Sequence, residues 1–213
     1  MNQPEWPPLL AWPGWTHLRF TWLLTLAVTA LFTVVYGGAN WLTAHRTFRV
    51  RVHLDSELNL PMIPEFTLVY MSIYALFLAT PFVLRTRGEI KHLARAQSLT
   101  ILIAGISFLL FPAQLAYAPA TEAQLGAWRK LFEFASRLSL EYNLAPSLHV
   151  ALSIVCIELF ARHATSGEKL LLRAWGIGIA MATLFIHRHH MLDVATGYLL
   201  AFCVVAFSRP HDH

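Results

Sequence analysis

Apolar residues along this chain gather into six blocks, at about 20–37, 65–84, 98–117, 147–161, 170–186 and 191–207, and charged residues concentrate in the gaps. A helix needs about 20 mostly apolar residues to cross a hydrocarbon core of roughly 30 Å. The pattern therefore predicts an all-α polytopic membrane protein with six transmembrane helices, read as a single domain over residues 1–213. The fourth and fifth blocks are short, so their caps are expected in the headgroup layer. The first block is expected to be a retained helix and not a signal peptide. No Lys/Arg-rich segment precedes it, and Gly37-Gly38-Ala39-Asn40 is a poor cleavage site.

The gap at 118–145 has a pattern of its own. Leu125, Trp128, Phe132, Ala135 and Leu138 recur at helical spacing on one face, while Arg129, Glu133, Arg137 and Glu141 fall four apart on another. This predicts an amphipathic interfacial helix lying on the membrane surface. Its arginines are candidates to grip a lipid phosphate, although the carboxylate ladder offers them a plain structural role. Lys130 lies off that ladder.

Composition narrows the class. The chain is 56% hydrophobic and 13% charged, against roughly a quarter charged in a soluble domain. That argues against a soluble enzyme, a disordered tail and a nucleic-acid partner. The net charge of +4 comes from cations set in short gaps between apolar runs, so the lipid bilayer is the better anionic partner. Cys156 and Cys203 lie inside apolar blocks and read as packing residues. With both termini cytoplasmic, nine inside cations (Arg19, Arg85, Arg87, Lys91, Arg95, Arg162, Lys169, Arg173, Arg209) face seven outside (Arg46, Arg49, Arg51, Arg129, Lys130, Arg137, Arg188). The positive-inside rule favours that orientation. Trp6, Trp12, Trp15 and Trp22 at one end of the first block, and Trp41 at the other, suit aromatic belts.

Two stretches do not fit a passive bundle: residues 142–153 and residues 187–193. Pro146 suits a first helical turn. The amides of Ser147, Leu148 and His149 would then form an anion cradle at the helix start. His149 adds a group that exchanges a proton near neutral pH. His189 and Asp193, four apart, share a helical face, where a carboxylate fixes one imidazole nitrogen and frees the other to attack. Three histidines within 187–190 also admit a zinc or copper site from His187, His189 and Asp193, though no cysteine pair or HExxH completes it. Residue types alone leave phosphate chemistry, metal binding and no function open.

Pro146-Ser147-Leu148-His149 followed by His189-x-x-x-Asp193 resembles the second and third motifs of the type 2 phosphatidic acid phosphatase superfamily. The form His187-x-His189-x-x-x-Asp193, and the stretch Leu60-Pro61-Met62-Ile63-Pro64-Glu65, are similar to the branch containing sphingomyelin synthases and inositol phosphorylceramide synthases. The resemblance covers nearly the whole chain. It implies a six-span lipid phosphatase or phosphotransferase acting on a phospholipid or polyprenyl phosphate, without metal or other cofactor. His189 would become a phosphohistidine, Asp193 would orient it, and His149 would protonate the departing lipid oxygen and then activate the acceptor. Water as acceptor gives a phosphatase, and an alcohol or sphingolipid a headgroup transferase. The expected setting is a bacterial inner membrane with the active site on the outer face.

The chain departs from that pattern in its cations. The superfamily's first motif, a lysine and an Arg-Pro near the end of the third span, is replaced by Leu110-Phe111-Pro112-Ala113-Gln114. Thr183 stands where an arginine usually precedes the nucleophile by six residues. A phosphoryl site needs cations around its equatorial oxygens, and Arg188, Lys130, Arg137 and Arg129 are the candidates, beside the amides of Ser147 and Leu148. Arg95 is expected at the opposite membrane face. The rival classes are a degenerate, inactive site, a metal-binding carrier, and a scaffold that holds partners through small faces such as Gly197 and Ala201. A carrier should show inverted repeats and broken helices, and neither is visible in the sequence.

Overall fold

Helix α1 (Trp15–Ala44) extends the first apolar block at both ends, in a computed structural model that describes residues 12–208. Trp6 and Arg209 lie outside the described residues. The second block forms α2 (Phe66–Met71) and α3 (Ile73–Val83), broken at Ser72, whose hydroxyl bonds the Val69 carbonyl and accepts from Trp175 Nε1 at 2.8 Å. Helix α4 (Arg87–Leu110) begins well before residue 98 because Thr86 and Glu89 cap it reciprocally. The Glu89 amide donates to Thr86 Oγ1 at 3.2 Å, and the Thr86 amide to Glu89 Oε2 at 2.8 Å. Arg87, Lys91 and Arg95, expected in a loop, therefore ride on the first turns of α4.

The short α5 (Glu122–Leu125) leads to α6 (Arg129–Leu138), the amphipathic helix. Leu125, Phe132 and Ala135 are buried, as the stripe predicts, while Leu138 is exposed. The charge ladder stops after one rung. Arg129 pairs with Glu133 and with Glu122, each at 2.7 Å, but among the described residues Arg137 forms no ion pair. The helix ends at Leu138, so Glu141 is not on its face. The remaining helices are α7 (Leu148–Phe160), α8 (Ser166–Phe185) and α9 (Met191–Phe207).

Among the described residues three segments, not six, are long and apolar enough to cross a membrane: Trp15–Ala44, Phe66–Val83 and Arg87–Leu110. The difference lies in what covers each helix. In α7 every residue except His149 and Glu158 is buried, packed by α3, α4, α8 and α9. Its 13 residues rise only about 20 Å, short of a hydrocarbon core of roughly 30 Å. Glu168, Lys169 and Arg173 interrupt the apolar character of α8, and α9 has 17 residues. Helices buried in protein and helices facing lipid are equally apolar, so composition alone overcounts the spans. Trp12, Trp15 and Trp22 are exposed at one end of α1 and Trp41 at the other, as two interfacial belts require.

The bundle has two distinct ends. At one, Asn143 Nδ2 donates to the Tyr36 carbonyl at 2.6 Å, the Tyr142 amide to Asn40 Oδ1 at 3.2 Å, and Ser107 Oγ to the Ala145 carbonyl at 3.0 Å. At the other, His17 Nε2 donates to the Leu84 carbonyl at 2.9 Å, and His163 pairs with Glu89 at 3.0 Å. The starts of α7 and α9 both lie at the first end, where α7 meets α9 closely. A Cβ on Gly197 would sit 2.7 Å from the Ser147 carbonyl oxygen. The Gly197 and Ala201 face is therefore occupied by the protein's own α7 and is not a surface for partners.

Candidate active site

The turn between α8 and α9 is built on Thr183. Its carbonyl accepts from the Arg188 amide at 2.9 Å and the His189 amide at 3.1 Å, while its hydroxyl bonds the Ala180 carbonyl. His187 closes the turn with φ 55, a conformation few non-glycine residues adopt. The residue standing in place of the expected arginine thus shapes the turn that carries His189.

The four residues of the histidine cluster have separate tasks. His187 Nε2 donates to the Leu60 carbonyl at 3.0 Å, and its ring stacks on Tyr117 with centroids 4.0 Å apart. His190 stacks on the same tyrosine at 4.7 Å, and its Nε2 accepts from the Ala116 amide at 3.1 Å. Its Nδ1 lies 3.3 Å from Glu57 Oε1. Burial pushes both imidazoles below their ordinary pKa, in His190 against the opposing pull of Asp193 and Glu57. The Tyr117 hydroxyl is pushed up to about 12, by burial first and then by Glu57 and Asp193. Metal ligation through His187 Nε2 would break its bond to Leu60. Among the described residues no three His, Cys, Asp or Glu side chains converge on a metal-sized site.

His189 is the member turned elsewhere. Its Nδ1 lies 3.4 Å from Asp193 Oδ2, both side chains being buried. Asp193 Oδ2 also accepts the His190 amide at 2.8 Å, so the carboxylate is fixed by the helix start it caps. Among the described residues His189 Nε2 has no hydrogen-bond partner, and His189 lines a cavity of about 570 Å³. His149 lines the same cavity from α7. Its Nε2 donates to the Tyr70 carbonyl at 2.8 Å and its ring stacks on Tyr70 at 3.8 Å. A carbonyl only accepts, so the exchangeable nitrogen of His149 is Nδ1.

The cradle at the start of α7 differs in detail from the sequence expectation. Helix α7 begins at Leu148 with Ser147 as its cap, so Pro146 precedes the helix instead of opening its first turn. The Ser147 amide is already committed, donating to the Asp193 carbonyl at 2.9 Å. Ser147 Oγ accepts from the Val150 amide at 3.4 Å. Among the described residues the amides of Leu148 and His149 are left without partners at this helix start.

Of the candidate cations, Arg188 alone is drawn into the protein. Its guanidinium lies over the Phe132 ring at 4.8 Å and bonds Ser136 Oγ. Burial is the largest influence on it and lowers its pKa, and Tyr70 and Tyr36, both lining the cavity, are among its electrostatic neighbours. Its Nε is buried without a partner, and among the described residues no carboxylate pairs with it. None of the four lines the cavity, and Arg129, Lys130 and Arg137 stay on the exposed face of α6.

The cavity is mostly apolar. It runs along α1 from Thr21 to Tyr36 and along α4 from Ile90 to Ile101, with Tyr74, Phe77 and Leu78 of α3 opposite. Its polar end carries His149, His189, Asn143 and Ser139. Sequence reasoning missed Glu57, Tyr70 and Tyr117. Glu57 sits two residues from the exposed Asp55, and only its burial in the fold distinguishes them. Comparison of the chain with known protein families, with curated proteins and with solved structures finds no match.

Proposed function

We propose that this protein is an integral membrane enzyme that removes or transfers a phosphate-bearing headgroup of a membrane lipid through a phosphohistidine at His189. The observation that carries this reading is the meeting of two imidazoles at one end of an apolar cavity, one of them with Nδ1 facing the Asp193 carboxylate at 3.4 Å. The half-buried guanidinium of Arg188 lies outside the cavity lining, with Tyr70 and Tyr36 of that lining among its electrostatic neighbours. Its buried Nε has no partner, and an anionic ligand would satisfy it. Resemblance to the type 2 phosphatidic acid phosphatase superfamily points to the same chemistry.

In this mechanism the lipid chain lies between α1, α3 and α4 with its phosphate at the polar end. His189 Nε2 attacks phosphorus, the N–P bond forms and the P–O bond to the lipid breaks. Because its Nε2 hydrogen is held by the Tyr70 carbonyl, His149 serves as the acid only in its doubly protonated form, and the departing oxygen takes the Nδ1 proton of that imidazolium. Asp193 balances the positive charge that develops on His189. Arg188 and the Leu148 and His149 amides stabilise the equatorial oxygens. In the second step water or an alcohol gives its proton to His149, attacks phosphorus and releases His189. The site end of the bundle faces the outer side of the membrane. The test is turnover of a panel of lipid phosphates and phosphodiesters by detergent-purified protein. Release of phosphate or headgroup by the native chain, absent in His189→Ala, supports the reading; no release from any lipid, with or without an alcohol acceptor, rejects it.

A further inference from the structure

Glu57 lies in a 3-10 turn, Asp55–Asn59, within the segment joining α1 to α2, yet its side chain has no exposed surface. Every group that meets its carboxylate is a donor. Oε1 accepts the Leu54 amide at 2.7 Å and Oε2 accepts the Met191 amide at 2.7 Å. The third, His190 Nδ1, faces Oε1 at 3.3 Å without making a hydrogen bond. That nitrogen carries the ring hydrogen because Nε2 is already an acceptor for the Ala116 amide. Carboxylate oxygens accept from such donors, and this one lies at the start of α9. The other titratable groups around this point are Asp193 on α9, Tyr117 stacked on His190, and His53, whose ring lies 5.2 Å from that of His190.

The same segment fastens the α8–α9 turn at two further points, His187 Nε2 to the Leu60 carbonyl at 3.0 Å and the Ile63 amide to the Phe185 carbonyl at 2.9 Å. His189 therefore sits on a turn whose next two residues are gripped by carboxylates from opposite sides. Asp193 takes the His190 amide and Glu57 takes the Met191 amide. We infer that Glu57 is a positioning residue for His189, acting through His190 and the first turn of α9. This rests on the reading of His189 as the nucleophile. Without the carboxylate the Leu54 and Met191 amides are orphaned, and the first turn of α9 loses the contact that holds Asp193 in register against His189.

Glu57→Gln is the direct probe. It keeps the shape but must turn an NH2 group toward a donor. We expect kcat to fall about 10- to 100-fold, the range for outer partners that orient a functional histidine, with KM changed less than about threefold. Asp55→Ala, which removes an exposed carboxylate paired with Arg51, should match the native chain. Nitrogen-15 spectra of labelled histidines give a readout independent of turnover. Native His190 should be neutral and protonated on Nδ1 at pH 7, and Glu57→Gln should keep that tautomer, held by the Ala116 amide, while shifting His189. Native His190 protonated on Nε2, or a Glu57→Gln chain with native kcat and native His189 resonances, overturns the inference. If the native chain turns over no lipid phosphate, the nucleophile reading falls and the His189 resonances alone decide the Glu57 contact. Should Glu57→Gln fail to fold, the native His190 tautomer and Glu57→Asp decide it in the same way.

Discussion

The Ser147 amide donates to the Asp193 carbonyl at 2.9 Å, tying the first turn of α7 to the first turn of α9 through main-chain atoms alone. His149 and His189 come from segments 40 residues apart, and this contact makes their helix starts one unit. The close approach depends on Gly197, since a Cβ there would lie 2.7 Å from the Ser147 oxygen and 3.3 Å from Val150 Cβ.

Gly197→Ala should therefore push α7 and α9 apart. We expect a loss of about 1–3 kcal/mol in stability, as for other overpacked contacts, and a fall in turnover that exceeds it. Gly38→Ala is the control, because a Cβ at Gly38 meets nothing within 4 Å. Thermal unfolding in detergent, read beside lipid phosphate turnover, separates the two.

Arg188→Ala should lower kcat/KM for a lipid phosphate by about 10²-fold, as for loss of one transition-state donor. Arg188→Lys should recover little, since a point charge does not reproduce a planar fork stacked on Phe132. Lys130→Ala and Arg137→Ala, on the exposed face of α6, should stay near the native rate. Equal losses at all three positions would move the phosphate contact onto α6.

Stability should fall in acid. Burial lowers the pKa of both His187 and His190 in the folded chain. Unfolded histidines take up protons near pH 6.5, so below that pH the unfolded chain binds more protons than the folded one. The stabilisation is complete above about pH 6.5 and is lost as pH falls toward the folded values. The Tm in detergent should drop between pH 7 and pH 5. His187→Asn, which tolerates φ 55, should flatten that dependence while lowering the Tm at neutral pH. A Tm independent of pH in this range contradicts the buried neutral histidines.

The cavity lining extends over 16 residues of α1, from Thr21 to Tyr36, a rise of about 22 Å. A bulky residue far from the polar end should then penalise long chains selectively. Ala94→Trp, on the α4 wall, is expected to raise KM for long-chain lipid phosphates while leaving short-chain analogues unaffected. A uniform change across chain lengths would place the lipid elsewhere.

Much of this arrangement was legible in the sequence because it is local. The α9 bounds, the Phe132 and Ala135 face of α6 and the four-residue spacing of His189 and Asp193 all follow from periodicity and spacing within one helix. What was not legible depends on contacts between distant segments. Glu57 reaches the α9 start across 134 residues, and nothing near Glu57 marks it as buried. The division of labour among His187, His189 and His190 depends on Leu60, Tyr117 and Ala116, none of which is their neighbour in the chain. The number of spans was overcounted because an apolar helix surrounded by protein, as α7 is, reads like one surrounded by lipid.

The central claim is a phosphorus–nitrogen bond at His189, and trapping that bond tests it most directly. Native protein would be mixed with a lipid phosphate carrying labelled phosphorus, quenched in alkali within the first turnover, and digested. The account predicts label that is stable in alkali, labile in acid and located on the peptide containing His189, and absent from His189→Ala. Turnover without any trapped label, or label that persists in His189→Ala, would contradict it.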